Sequence, residues 1–252
     1  MSPWELAHPV FLFAAAAAIG SFLGTLVICL PAGESIVIGR SKCSHCRTDL
    51  PARDLVPLLS WIWICARCRA CHRRISAFYP LIELASVAVA FWAAAETSSW
   101  VLLASSFLGW TLLALGVIDW RENLLPDELT LMLIPTGLGA AYLSDATSAI
   151  DHVIGALAGF AALTMVAWAY RRLRGREGLG GGDVKLLAGL GAWVGWIGLP
   201  TIILLSTGLA LSALVLKALL GERLSATDRL PFGTYLVAAG WLVWLYGPLV
   251  PE

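Results

Sequence analysis

Arg171-Arg172-Leu173-Arg174-Gly175-Arg176-Glu177-Gly178-Leu179-Gly180-Gly181-Gly182-Asp183-Val184-Lys185 joins two long apolar runs, and an aspartate stands at the edge of the second. Basic residues gathered where an apolar run ends mark the cytoplasmic side of a membrane span. The same sorting runs through the whole chain. Apolar stretches at about 10–30, 78–95, 100–118, 128–144, 152–170, 184–198, 200–220 and 231–250 are each read as a span. All 17 Lys and Arg residues then fall in alternate loops. Arg40, Lys42, Arg47, Arg53, Arg67, Arg69, Arg73 and Arg74 lie in 31–77, and Arg121 lies in 119–127. Lys217, Arg223 and Arg229 lie in 217–230, and the remaining five lie in the stretch quoted above. The loops near 96–99, 145–151 and 198–200, and both termini, have none. An odd number of spans would scatter these charges, so the pattern predicts eight, with both termini outside.

Composition agrees. Hydrophobic residues make up 59% of the chain and charged residues 13%, against about 25% charged in soluble proteins. Residues 10–30 lack a preceding basic region and a small-residue cleavage site, so they are read as a retained span rather than a signal peptide. The expected fold is an all-α polytopic membrane protein of eight transmembrane helices. It forms one domain over 1–252, with a small zinc-binding cytoplasmic insertion at 32–77.

That insertion holds Cys43-Ser44-His45-Cys46 and Cys65-Ala66-Arg67-Cys68-Arg69-Ala70-Cys71. In a reducing cytoplasm, paired CxxC motifs point to tetrahedral zinc rather than to disulfides. Cys65/Cys68 leaves 18 residues after Cys46 and Cys68/Cys71 leaves 21. The shorter frame fits the usual zinc-ribbon spacing and the longer lies just outside it, so both stay open on spacing. Cys29, at the end of the first span, reads as a small buried hydrophobe. Between the knuckles, Leu55-Val56-Pro57-Leu58-Leu59-Ser60-Trp61-Ile62-Trp63-Ile64 is apolar but too short to span. Its tryptophans suit a segment resting at the membrane interface.

Carboxylates at membrane depth are costly and point to function. Asp119 closes the third span in Gly116-Val117-Ile118-Asp119, and Asp183 opens the sixth. Two aspartates from different helices on one membrane face can share a proton and activate water against a peptide bond. Asp127, after Pro126, competes with Asp119 for the first position, and its other reading is an acid at a helix N-terminus. Glu83 lies within the second span, paired with a basic loop residue or shaping the site. Asp145 and Asp151 fall on the outer side. Gly178, Gly180, Gly181 and Gly182 would let a substrate strand approach Asp183 closely.

Taken in order, these motifs resemble the type IV prepilin peptidase family, the GxGD-type aspartyl proteases of bacterial inner membranes. The resemblance covers nearly the whole chain. It rests on Gly20-Ser21-Phe22-Leu23, Leu30-Pro31-Ala32-Gly33-Glu34-Ser35, the cysteine knuckles with Pro57-Leu58-Leu59-Ser60-Trp61, and Tyr79-Pro80-Leu81-Ile82-Glu83-Leu84. It continues through Ile118-Asp119, Leu125-Pro126-Asp127-Glu128-Leu129-Thr130, Gly180-Gly181-Gly182-Asp183-Val184-Lys185 and Pro231-Phe232-Gly233. It implies Asp119 and Asp183 as the catalytic pair and Cys43, Cys46, Cys68 and Cys71 as zinc ligands, with Cys65 an extra thiol. It further implies an endopeptidase of the inner membrane that removes the short basic leader of prepilins or pseudopilins at the cytoplasmic face. Many such enzymes then methylate the new N-terminus with S-adenosylmethionine. The family usually carries asparagine and arginine where this chain has Gly24 and Cys29, and no methyl-donor site is recognisable. The expected partners are those substrates and the lipid bilayer, with no nucleic acid. The competing reading is a zinc-binding membrane assembly factor without proteolytic activity. A protease of the presenilin type is disfavoured by the cysteine loop.

Overall fold

Small residues decide where these helices touch. The computed structural model describes residues 3–33, 43, 45–146, 149–175, 178–221 and 230–249. Arg40, Lys42, Arg176, Arg223 and Arg229 of the charge pattern lie outside the described residues, as do Glu34, Ser35 and Ser44 of the quoted motifs and the chain ends. The described residues are helical and contain no strand. The helices are α1 (Pro3–Cys29), α2 (Leu59–Trp63), α3 (Phe78–Glu96), α4 (Ser99–Glu122), α5 (Asp127–Ser144), α6 (Ala149–Arg174), α7 (Gly181–Leu219) and α8 (Phe232–Tyr246). They form two compact units, Met1–Ala114 and Leu115–Glu252.

In the first unit α1 lies against α3. Ala16, Ala17, Val87 and Ala90 pack together, with Leu12 and Trp110 against them. A methyl at Gly20 would stand 2.6 Å from the Glu83 Cα, so only glycine permits this approach. The Ser86 hydroxyl donates to the Ala16 carbonyl at 2.7 Å, and the Trp110 indole donates to the Ser86 carbonyl at 3.0 Å. Both of these groups find a backbone acceptor, as a medium without water favours.

In the second unit α7 is the hub, packed by α5, α6 and α8. At Gly155 and Gly191 the α6 and α7 backbones meet so closely that a Cβ on either would strike the other's carbonyl oxygen. Trp193 is 2% exposed; its indole donates to the Leu133 carbonyl at 3.0 Å, and its ring meets Trp244 edge-on at 5.2 Å.

Among the described residues five helices are long and apolar enough to cross a membrane, and α8 is a shorter apolar one. The expected spans 184–198 and 200–220 share the single 39-residue α7. Unbroken, it would run about 58 Å, near twice a hydrocarbon core of about 30 Å. It is broken at Gly195, where φ of 71° and ψ of 178° interrupt the helix. The break precedes the loop expected at 198–200, since glycine adopts that conformation freely while Pro200 is accommodated within the helix.

The glycine contact yields a test. Gly191→Val should destabilise the detergent-solubilised protein by about 1–3 kcal/mol through overpacking. Gly139→Ala, at a position with open space around it, should leave the thermal midpoint unchanged or slightly raised.

Candidate active site and cysteine cluster

The second unit brings Asp119 and Asp183 together. Asp119 sits one turn before the end of α4, and Asp183 in the first turn of α7. They are 5% and 8% exposed and close enough for the Asp119 charge to act on Asp183.

Each carboxylate is held by a helix N-terminus, where backbone N–H groups lack intrahelical partners. Asp183 is the third residue of α7, and its carboxylate turns back to accept from the N–H of Gly180, the N-cap residue, one half of a capping box. Asp119 caps a helix distant in sequence. The α8 helix starts after Pro231, which has no side-chain oxygen to cap it. Oδ2 of Asp119 accepts from the Thr234 N–H at 2.7 Å and lies 3.1 Å from the Thr234 hydroxyl. Gly233 permits this: a Cβ there would stand 3.0 Å from the Asp119 carboxylate and 2.8 Å from Leu125. Leu125 also presses on Gly182, where a Cβ would lie 2.7 Å from its own. The glycine before Asp183 thus serves packing against Leu125, beyond the substrate access expected from its lack of bulk.

Asp127 occupies a different environment. Its carboxylate is exposed and accepts an ion pair from Lys185 Nζ at 2.6 Å, the expected place of a helix N-terminal acid. Glu83, in the first unit, is 6% exposed. Its Oε2 accepts the Leu58 N–H at 2.7 Å, so among the described residues it fastens the loop by a backbone group.

The first unit also gathers Cys43, Cys46, Cys68 and Cys71, whose sulfurs all lie within 4.8 Å of one another and could hold a metal ion. Cys65 is exposed and outside this group. The two knuckles repeat each other. The Cys43 N–H donates to the Thr48 carbonyl at 3.0 Å and the Arg47 N–H to the Cys43 carbonyl at 2.9 Å. The Cys68 N–H donates to the Arg73 carbonyl at 3.0 Å and the His72 N–H to the Cys68 carbonyl at 2.9 Å. Arg47 and His72, four residues after the first cysteine of each, both have φ of 56°. Hydrogen bonds from the Thr48 hydroxyl and backbone bring the Cys46 thiol down to about 6. Backbone N–H groups of Cys71 and Ala70 lower that of Cys68. At Cys71 an Arg73 N–H also favours the thiolate, but desolvation and the three neighbouring sulfurs outweigh it and lift the thiol to about 11. Four sulfurs so close could all become thiolates only with a cation among them.

Sequence reasoning missed Thr234, the Gly180 N–H, the Leu58 contact and the Lys185–Asp127 pair. One clue was present: a helix beginning Pro231-Phe232-Gly233 supplies no capping oxygen of its own.

Apolar helices of spanning length and two paired, buried carboxylates define an all-helical membrane protein with a polar site on its helix ends. Comparison with known proteins makes the assignment specific. Residues 14–97 match the bacterial peptidase A24 N-terminal domain, and residues 106–216 match the type IV leader peptidase family. The chain belongs to the type IV leader peptidase family. Similar proteins named prepilin leader peptidase/N-methyltransferase occur in Aeromonas hydrophila, 40% identical over 97% of this chain and 92% of the relative. Others occur in Burkholderia pseudomallei (strain 1026b), 43% identical over 86% and 71%, and in Pseudomonas putida, 41% identical over 87% and 74%. No solved structure matches the chain.

The cluster predicts its own metal chemistry. The purified protein should carry about one metal ion per chain, measured by elemental analysis. Cys43→Ser or Cys68→Ser should abolish it, while Cys65→Ser retains it. Loss of metal on substituting Cys65 would contradict the frame described above.

Proposed function

We propose that the chain is a membrane-embedded aspartyl endopeptidase that removes the short basic leader from prepilins or pseudopilins, with Asp119 and Asp183 as its catalytic pair. The observation that carries this is the pairing itself: two buried carboxylates from separate helices, within electrostatic reach, each supported by the N–H of a helix end. Such a pair retains one proton between its members. The ionised carboxylate takes a proton from water as the oxygen attacks the scissile carbonyl carbon. The protonated one donates to the carbonyl oxygen, and the tetrahedral intermediate then collapses as the amine leaves with a proton. Asp127, occupied by Lys185, is free of this task.

The cysteine cluster fits structural zinc. Zn–S bonds of about 2.3 Å arranged tetrahedrally place sulfurs about 3.8 Å apart. Cys43 and Cys71, and likewise Cys46 and Cys68, stand 3.9 Å apart. Zinc there would fix the fold of the 32–77 insertion and would take no part in hydrolysis. The assembly-factor reading accounts for the cysteines alone and leaves two buried carboxylates unexplained.

The charge pattern supports an inner-membrane location with basic loops in the cytoplasm and both termini periplasmic. With 1–252 taken as one membrane peptidase domain, the site would lie on the cytoplasmic side, where a prepilin leader would arrive. The relatives' names also include N-methyltransferase, and S-adenosylmethionine would supply the methyl group of that reaction. At position 24, where the resemblance expects asparagine, Gly24 packs with Ile82 at 3.2 Å and Tyr79 at 3.4 Å from the site of a Cβ. This chain lacks that polar group, so the residues there do not match the family's methyl-transfer pattern.

Membranes carrying the protein should cleave a prepilin with a basic leader and a Gly–Phe junction. Asp119→Asn and Asp183→Asn should each abolish cleavage, while Asp127→Asn leaves it within about threefold of wild type, in line with an exposed ion pair. Product mass reads both activities, because a methylated product is heavier by one methylene. Full cleavage by either dyad variant would sink the aspartyl mechanism.

A further inference from the structure

A dyad whose members exchange a proton needs neighbours that tolerate both forms of each carboxyl. The surroundings of Asp119 show such a neighbour, in a segment beyond the residues matched to the leader peptidase family. The Thr234 N–H, a donor only, points at Oδ2 of Asp119 at 2.7 Å, while its longer contact to the Pro231 carbonyl is 3.3 Å. The Thr234 hydroxyl is 3.1 Å from the same Oδ2 and 3.1 Å from the Gly116 carbonyl. A hydroxyl carries one proton and two lone pairs. Facing an ionised Asp119, it donates to Oδ2. Facing a protonated Asp119, it donates to Oδ2 again, because the N–H aimed at that oxygen makes it the carbonyl-like one and leaves the acid proton on Oδ1. No covalent bond changes at threonine, and Oδ2 keeps both donors in both states.

We infer that Thr234 is a positioning residue of the catalytic pair, holding Oδ2 of Asp119 in both protonation states and leaving Oδ1 to face water and substrate. This rests on the aspartyl reading above. The hydroxyl and the N–H together hold Oδ2, so the proton that Asp119 exchanges is carried on Oδ1. The same contacts tie Asp119 on α4 to α8, so the carboxylate's orientation is set by a helix end and not by its own rotamer alone.

The test is a crossed pair of substitutions, assayed by steady-state cleavage of a prepilin peptide with purified protein in detergent. Thr234→Val keeps the shape and removes the hydroxyl; Thr234→Ser keeps the hydroxyl and removes the methyl. The expected result is a kcat lower by roughly 10- to 100-fold for valine, the worth of a hydrogen bond to a charged group. KM should stay within about twofold, as for an interaction felt in the chemical step, and serine should stay near wild type. A packing role predicts the opposite order, with valine active and serine impaired, and would overturn the inference. If the valine protein fails to accumulate, Thr234→Cys against Thr234→Ser poses the same question, since a thiol is a weak donor. Asp119→Asn in the same assay separates the two claims. If it is inactive while Thr234→Val cleaves normally, the positioning role alone falls; if it cleaves, the dyad falls and the inference with it.

Discussion

A carboxylate buried at the edge of a bilayer has little water to solvate it, so the protein must supply hydrogen-bond donors in fixed places. Here helix N-termini supply them. Asp183 takes the N–H at the start of its own helix, and Asp119 takes the first turn of α8. The arrangement helps both sides. The carboxylates gain donors that cannot rotate away, and α8, which begins at a proline without a capping oxygen, gains its cap from α4. Two needs created by the same medium answer each other.

Such exactness depends on packing that does not give. The α7 helix that presents Asp183 is gripped along its first half. Gly189 accepts Leu133, Gly191 meets Gly155, and Gly240 of α8 accepts Leu190. Apolar side chains gain little from one another in lipid, so close backbone approach through small residues holds these helices together. At the site end the same device recurs, with Leu125 wedged between Gly182 and Gly233. The Leu125-Pro126-Asp127 motif therefore contributes its leucine to the geometry and its aspartate to an ion pair with Lys185. That is why an acid so close in sequence to Asp119 belongs to the surface.

What could be read from the residues alone was whatever depends on local pattern. Apolar runs, charge sorting and CxxC spacing locate most of the helices and the cysteine loop. Asp119 and Asp183 stand out because an acid beside an apolar run is expensive. Contacts across long separations were not legible. Asp119 and Thr234 are 115 positions apart, and nothing local at threonine advertises a partner. The cysteine frame was ambiguous for a related reason: two overlapping CxxC pairs differ by three residues, and the clustering of the sulfurs with the repeated hydrogen-bond pattern at Cys43 and Cys68 distinguishes them. The break in α7 falls at Gly195, ahead of the loop expected at 198–200, because that residue carries the unusual backbone.

The loop between α1 and α3 makes the complementary argument. A short segment usually folds by burying apolar side chains, yet Leu59, Ile62 and Trp63 of α2 are 62%, 66% and 83% exposed. Its described residues are held by other ties: the four clustered sulfurs, the Arg69 Nε reaching both oxygens of Asp54 at 2.8 and 3.0 Å, and the Glu83–Leu58 bond. Leu58 holds a φ of 59°, a strained conformation for a leucine, and a buried glutamate grips its N–H. A loop fixed by polar ties and by a site suited to a metal can leave its apolar side chains outward. Tryptophan among such side chains, with arginines nearby, is the composition of a surface that meets a membrane interface. The ties that replace a core thus leave the loop's apolar face available to lipid.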